Sequence, residues 1–223
     1  MKDLINKKNE SEGLLFLSCI HNETIDCCFF DPQYKGAVNK MGKKSQKRNI
    51  NRMQLNQMED STIVDFMKEI NRCLKPSKHL FFWLDTYHLI NNVKNWSLES
   101  NFEIVDLLTW NKVNMGMGTR LRRQSEFCVI LQKKPKRVDG FWFKNNIRSV
   151  FTQKPQNNKH THAKPIDLQK TLIEAVTKHN DIVLDPTAGS FSVFEACKQT
   201  KRNFLGCDIK IKKEVMNDLV DFM

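Results

Sequence analysis

Strands and helices alternate along this chain of 223 residues, which predicts an α/β domain with a mostly parallel sheet and helices on both faces. Two observations carry that prediction. Short apolar runs such as 25–30, 79–84 and 182–184 are nearly free of polar residues, as strands buried on both faces are. Between such runs, apolar residues recur at helical spacing, as with Ile63, Phe66, Met67, Ile70 and Leu74.

The elements follow in order. Residues 14–20 and 25–30 are short β-rich runs and read as buried strands. Asp60-Ser61 caps a helix through Leu74, which Lys75-Pro76 ends because the residue before a proline avoids the helical region. A strand over 79–84, a helix over 87–96 and strands over 102–110 and 126–131 come next. After an irregular stretch the spacing predicts a helix at 165–179, a strand at 182–184, a helix at 192–200, a strand at 203–207 and a last helix at 212–223.

The length suits one domain with its own core. Hydrophobic residues make up 40% and charged residues 27%, and no apolar run approaches the ~20 residues a spanning helix needs. The first eleven residues are polar and do not read as a signal peptide. Seven cysteines without a Cys-x-x-Cys pair, and six histidines not grouped with them, give no zinc-ligand pattern. A reduced, cytoplasmic protein without bound metal or membrane contact is expected.

The net charge of +11 favours a polyanionic partner, nucleic acid first. The charge is concentrated. Residues 35–52 hold seven Lys/Arg and no acid, within a stretch (35–58) expected to be a mobile loop. Residues 112–123 are rich in Gly, Met and Arg, and 133–162 are basic with Phe141, Trp142, Phe143 and Phe151 interspersed.

Two motifs carry chemistry. In Ile182-Val183-Leu184-Asp185-Pro186-Thr187-Ala188-Gly189-Ser190 a strand ends in an acid and a small-residue turn leads into a helix. In an open α/β sheet such a turn lies at the carboxyl edge, where ligands reach backbone N–H groups. Asp208 ends the next strand, 23 residues beyond Asp185, where an acid can accept hydrogen bonds from both hydroxyls of a ribose. The pair points to a nucleoside-containing cofactor. The second motif is Asp31-Pro32-Gln33-Tyr34, delivered to the same edge by the strand before it. Asp31 and the Pro32 carbonyl suit an exocyclic amine, and Tyr34 suits stacking on a planar base.

Together and in this order, the motifs resemble the amino-methylating S-adenosylmethionine-dependent DNA methyltransferases, whose tetrad is Asp-Pro-Pro-Tyr or a relative. The resemblance extends over nearly the whole chain, through Leu74-Lys75-Pro76, Trp110-Asn111-Lys112, Arg122-Arg123, Ser125-Glu126 and His162-Ala163-Lys164-Pro165-Ile166-Asp167-Leu168. It implies a Rossmann-like fold with a seven-stranded sheet and the circularly permuted motif order of the beta group. Residues 14–18 would then be the third strand, with the first two supplied by the C-terminal segment. One methyltransferase domain is implied, with a catalytic half over 1–132, a short target-recognition segment over 133–162 and a cofactor half over 163–223.

Carried over residue by residue, the resemblance implies catalysis by Asp31, Pro32 and Tyr34. It implies cofactor binding by Phe30, Asp31, His162, Lys164, Pro165, Asp185, Pro186, Thr187, Ala188, Gly189, Ser190, Phe191 and Asp208. DNA phosphates would meet Lys35, Lys43, Lys44, Lys47, Arg48, Arg120, Arg122 and Arg123. Three departures stand out: Gln33 replaces the second Pro, Phe191 replaces a second Gly of the cofactor loop, and Ser18-Cys19 stands where many relatives have Gly-Asp. The implied reaction is methyl transfer from S-adenosylmethionine to the N6 amine of an adenine flipped out of double-stranded DNA, in a restriction–modification or epigenetic system. Cytosine-N4 methylation, or a non-catalytic nucleic-acid-binding subunit, are the alternatives. So short a recognition segment gives one protomer little to grip, and a homodimer and a cognate restriction endonuclease are the family-level partners.

Overall fold

The computed structural model describes residues 2–34, 57–116, 120–155 and 163–210. Among them, eight strands form one sheet: β1 (Asn9–Glu10), β2 (Ile25–Phe30), β3 (Leu74–Leu84), β4 (Phe102–Asn111), β5 (Ser125–Lys133), β6 (Val150–Thr152), β7 (Ile182–Asp185) and β8 (Asn203–Asp208). Their order is β1-β8-β7-β2-β3-β5-β4-β6. The pairs from β1 to β3 are parallel, β3-β5 and β5-β4 are antiparallel, and β4-β6 is parallel. The sheet is therefore mostly parallel, with one strand more than expected.

Side chains of β2 show why both faces need cover. All six of its residues are buried. Cys28 and Phe30 join one core cluster, packed under α1 (Gly13–Ser18), α2 (Asp60–Cys73) and α4 (Val93–Glu99), with α3 (Thr86–Asn91) leading into α4. Cys27 and Phe29 join the other, under α5 (Ile166–Val176) and α6 (Ser192–Thr200). Alternation along the strand sends successive side chains to opposite faces.

The N-terminal reading needs correction. Residues 14–18, expected as the third strand, are helix α1, and Asn9–Glu10 occupies the place beside β8 instead. Gly13, Phe16, Leu17 and Ile20 are buried while Leu15 is 63% exposed. That i, i+3, i+4, i+7 spacing is a helical stripe, and the leucines, which carry no branch at Cβ, favour it. The helix expected over 87–96 is two, α3 and α4, broken at Asn92. Helix α2 ends at Cys73, and β3 begins at once. Ile25 pairs with Leu74 but Cys27 with His79, so residues 75–78 bulge from the ladder and bring Lys75 and Lys78 onto the buried Asp26. The helix expected over 212–223 lies outside the described residues.

Candidate active site

Because β2, β3, β7 and β8 are parallel neighbours, their carboxyl ends share one edge of the sheet. That edge gathers Asp31 after β2, Asp85 after β3, Asp185 at the end of β7 and Asp208 at the end of β8. Strand β4 also ends there, with Trp110 opposite Glu126 of β5. The two sequence motifs, more than 150 residues apart, thus meet at one crevice between adjacent strands.

The tetrad turn is well held. Pro32 is buried and the Gln33 side chain is exposed, so the residue that departs from the family pattern faces away from the turn's interior. Tyr34 is buried, its hydroxyl donates to the Trp83 carbonyl, and its ring stacks on His88 at 4.2 Å. His88 is fixed in turn by Asp85, whose carboxylate accepts from the His88 backbone N–H at 2.9 Å and contacts Nδ1 at 2.7 Å. Burial alone would raise the Asp85 carboxyl, but its hydrogen bonds to His88 outweigh burial and lower it. Burial, chiefly, raises the Tyr34 hydroxyl well above its ordinary value, so the ring stays neutral.

A chain of alternating charge crosses the crevice. The Lys164 ammonium donates to Asp31 and lies 3.3 Å from Glu126, which also pairs with Lys112. Lys164 is 8% exposed and its ammonium sits 5.0 Å from the centre of the Trp83 ring. Burial would lower it, but Asp31 and Glu126 hold it well above its ordinary value. Burial would raise Glu126, but Lys164 and Lys112 bring it down to about 2. Burial, chiefly, raises the Asp31 carboxyl, with Lys164 pulling it down and Glu126 adding to the rise. The Lys164 ammonium, donating to Asp31, favours its ionised form.

The other half of the edge is a tight turn. Burial pushes Asp185 up to about 8, opposed by the Thr187 N–H at 3.2 Å and raised further by Asp31 and Asp208. The Ala188 N–H donates to the Cys207 carbonyl, and the Gly189 N–H donates to Asp208 at 2.8 Å. Gly206 is needed here, since a Cβ would lie 2.4 Å from the Asp185 carbonyl. Phe191 takes the left-handed conformation (φ 57°, ψ 31°) that a glycine adopts without cost. Its ring is 3% exposed and packs edge-on to Phe204, so it belongs to the core and does not line the crevice.

The remaining expected residues are placed as follows. Phe30 is stacked between Phe66 and Phe82 in the core, so only its backbone reaches the edge. Pro165 is buried where α5 begins, and the Pro186 carbonyl accepts from the Cys207 thiol. Ser190 is half-buried in the turn. Ser18-Cys19 ends α1, whereas Ser11 bonds the Asp208 carbonyl and Gly13 packs against the Pro186 carbonyl. The segment before α1, missed in the sequence, is the one at this edge. Arg120, Arg122 and Arg123 are exposed in the β4–β5 loop on the same edge, with the Arg122 guanidinium bonded to the Gly116 carbonyl. His162, Lys35, Lys43, Lys44, Lys47 and Arg48 lie outside the described residues. Trp142 meets His79 edge-on where the β3 ladder resumes after its bulge, and the Phe143 N–H bonds the Ala175 carbonyl, so the aromatics of 138–143 anchor to the protein away from the crevice. Glu126, Lys112 and His88 had no role in the motif reading; complementary charges facing across a β-hairpin were the available signal for the first two.

A sequence model of DNA methylases, of the N6/N4 type, matches residues 25–217. The chain belongs to this DNA methylase family. The methylase is 46% identical to the type II methyltransferase M.HhaII of Haemophilus parahaemolyticus over 209 residues, covering 92% of this chain and 91% of the relative. In fold it is similar to a solved M1.HpyAVI–SAM complex, with TM-score 0.66, 17% identity and coverage of 92% and 93%. It is also similar to PvuII DNA methyltransferase (cytosine-N4-specific), with TM-score 0.68, 13% identity and coverage of 92% and 82%. The methylase is thus an S-adenosylmethionine-dependent DNA methyltransferase. Its edge fits that cofactor. The Thr187 hydroxyl is buried and finds no hydrogen-bond partner among the described residues. Gly189 leaves open space, with nothing nearer its absent Cβ than 3.9 Å, and Asp208 offers a carboxylate beside it. Among the described residues no helix is long and apolar enough to cross a membrane.

Proposed function

We propose that this methylase modifies the N6 amine of adenine in double-stranded DNA, as the protecting partner of a restriction endonuclease. The observation that carries the reading is the meeting of the Asp31 turn with the Asp185–Asp208 edge across adjacent parallel strands. An acid at the first tetrad position, where cytosine-N4 enzymes more often have Ser, favours adenine. The name of the M.HhaII relative, a type II methyltransferase, supports the restriction–modification setting and with it a cytoplasmic location.

S-adenosylmethionine supplies an electrophilic methyl group on a sulfonium. The chain's own residues do the rest. An exocyclic amine is a poor nucleophile because its lone pair is conjugated with the ring. The Asp31 carboxylate and the Pro32 carbonyl accept its two hydrogens and turn that lone pair out of conjugation. The geometry acts by positioning and by charge, with no covalent intermediate on the protein. Unstacking the base costs a few kcal/mol, offset in part by its hydrogen bonds to Asp31 and the Pro32 carbonyl, while Tyr34, buried against His88, holds the turn that presents them. Asp185, Pro186, Thr187, Ala188, Gly189, Ser190 and Asp208 hold the cofactor. Arg120 and Arg123, with the basic residues of 35–48, meet phosphates, and a second protomer extends the DNA grip.

Cytosine-N4 transfer is the second reading, favoured by the likeness in fold to the PvuII enzyme. Treating unmethylated genomic DNA with protein and labelled cofactor, then digesting it to nucleosides, separates them. Label in N6-methyladenine is expected, and label in N4-methylcytosine would overturn the base assignment. The Asp31→Asn variant is expected to lose about 10²–10³-fold in rate, the scale for removing one preorganised polar contact at a reacting group.

A further inference from the structure

The mechanism above uses Asp31 but leaves unexplained why a lysine with 8% exposure sits against it. A buried ammonium is costly unless it is paired. Lys164 has two carboxylate partners, Asp31 and Glu126, and the face of Trp83. Glu126 is itself held by Lys112, whose ammonium lies 5.3 Å from the centre of the Trp110 ring. The four groups come from four places: the turn after β2, the segment two residues before α5, the start of β5 and the residue just past β4. None is on a neighbouring turn of another, so the cluster is assembled by the fold and not by local sequence.

We propose that Lys164 and Glu126 are positioning residues for Asp31: Lys164 fixes its carboxylate, and Glu126 holds Lys164 while limiting how much of its charge Asp31 feels. This rests on the methyl-transfer reading of the site. The chain holds charge and does not relay protons. Glu126, held at about 2, is a poor proton acceptor, and Lys164 is a poor donor. The amine's released proton therefore leaves by way of Asp31 or solvent. A carboxylate accepts from an amine that gains positive charge as it is methylated, and its protonated form does so far less well. The groups facing Asp31 are Lys164, Glu126, Lys112, Asp185 from β7, Cys128 from β5 and Tyr34 on its own turn.

Charge removal on the two sides of Lys164 has opposite expected results. Lys164→Met takes away the cation, so the acid limb of the single-turnover rate moves up by about 1–3 pH units, the usual effect of one close opposite charge on a carboxyl. Glu126→Gln keeps an acceptor for Lys164 but removes a competing negative charge, so the limb moves down. Lys164→Arg keeps the wild-type limb. The assay is transfer of labelled methyl to unmethylated genomic DNA, with protein in excess over sites, from pH 5 to 9. Equal loss at every pH in both Lys164→Met and Glu126→Gln, or movement of both limbs the same way, overturns the proposal. The Asp31 carboxyl carbon, followed by NMR in the cofactor-free protein and assigned by its loss in Asp31→Asn, should titrate with the same two opposite shifts. Absence of those shifts overturns it too. A wild-type protein that transfers no methyl sinks the methyl-transfer reading, and the NMR titration then still decides the positioning role. Should Lys164→Met fail to fold, Glu126→Gln and Lys164→Arg carry the same decision.

Discussion

Replacing Phe191 separates two physical effects that its position combines. The residue stands in the left-handed region, which costs a side-chain-bearing residue about 1–2 kcal/mol. Its ring, 3% exposed among Phe194, Phe204 and Val193, repays that cost by burial. Phe191→Ala loses the ring and keeps the strain, so a cost of about 3–5 kcal/mol is expected. Phe191→Gly loses the same ring but relieves the backbone. Against that relief stands about 0.4–1 kcal/mol from the greater freedom of glycine in the unfolded chain. The glycine variant should therefore be the more stable of the two, by about 0.5–1 kcal/mol. Urea unfolding of both proteins measures this directly. Thermal unfolding should show it too, at about 2–4 °C per kcal/mol for a chain of this size. An alanine variant as stable as the glycine variant, or more so, would refute the claim that the backbone here is strained. Calorimetry should show both variants still binding S-adenosylmethionine, since the loop's N–H groups are unchanged.

Asp208→Ala should weaken cofactor binding by about 10–100-fold, the loss of one charge-assisted hydrogen bond of about 1.5–3 kcal/mol; an unchanged dissociation constant removes the ribose assignment. The stability of the cofactor-free protein should depend on Asp185. Its folded carboxyl, pushed up to about 8, keeps its proton where the unfolded chain has released it. Stability from this group is therefore full below about pH 4 and declines as pH rises towards 8. His79, lowered to about 4 mainly by burial, acts in the opposite sense below about pH 6.5. The Asp185 decline should thus show most clearly between about pH 6.5 and 8, and Asp185→Asn should abolish it. An Asp185→Asn protein with the wild-type slope would show that the carboxyl is already ionised in the fold.

The sheet and the two motif turns were legible because their signals are local. Runs such as Ile25–Phe30 and Ile182–Asp185 announce strands buried on both faces, and the acid just after the first and at the end of the second is the group at the edge. Residues 14–18 misled for a physical reason. A short leucine-rich run satisfies a buried strand and a one-faced helix equally well, and only the contact of Gly13 with Pro186 and of Phe16 and Leu17 with the core decides between them. The two-residue β1 and three-residue β6 carry too little pattern to be seen at all. The aromatics of 138–143 were equally ambiguous. Interspersed with lysines they suit a nucleic-acid surface, yet Trp142 and Phe143 are anchored against β3 and α5.

What sequence motifs locate is the set of groups that could touch a substrate; what they omit is the set that decides those groups' charge. Asp31 was evident from its turn. Its ionisation depends on Lys164, 133 residues away, and through it on Glu126 and Lys112, which face one another only because β4 and β5 pair as a hairpin. No spacing rule links these positions, since their distance is set by strand order. The same holds for Tyr34, whose orientation depends on His88 and Asp85 on the far side of β3. In each case a residue from a motif is held by residues that the fold brings to the same sheet edge, from the ends of β3 and β5 and from the segment before α5. A parallel sheet edge therefore concentrates function for a reason beyond exposure. It is the one place where every adjacent strand ends near the same point, so charges that are remote in sequence can set one another's protonation.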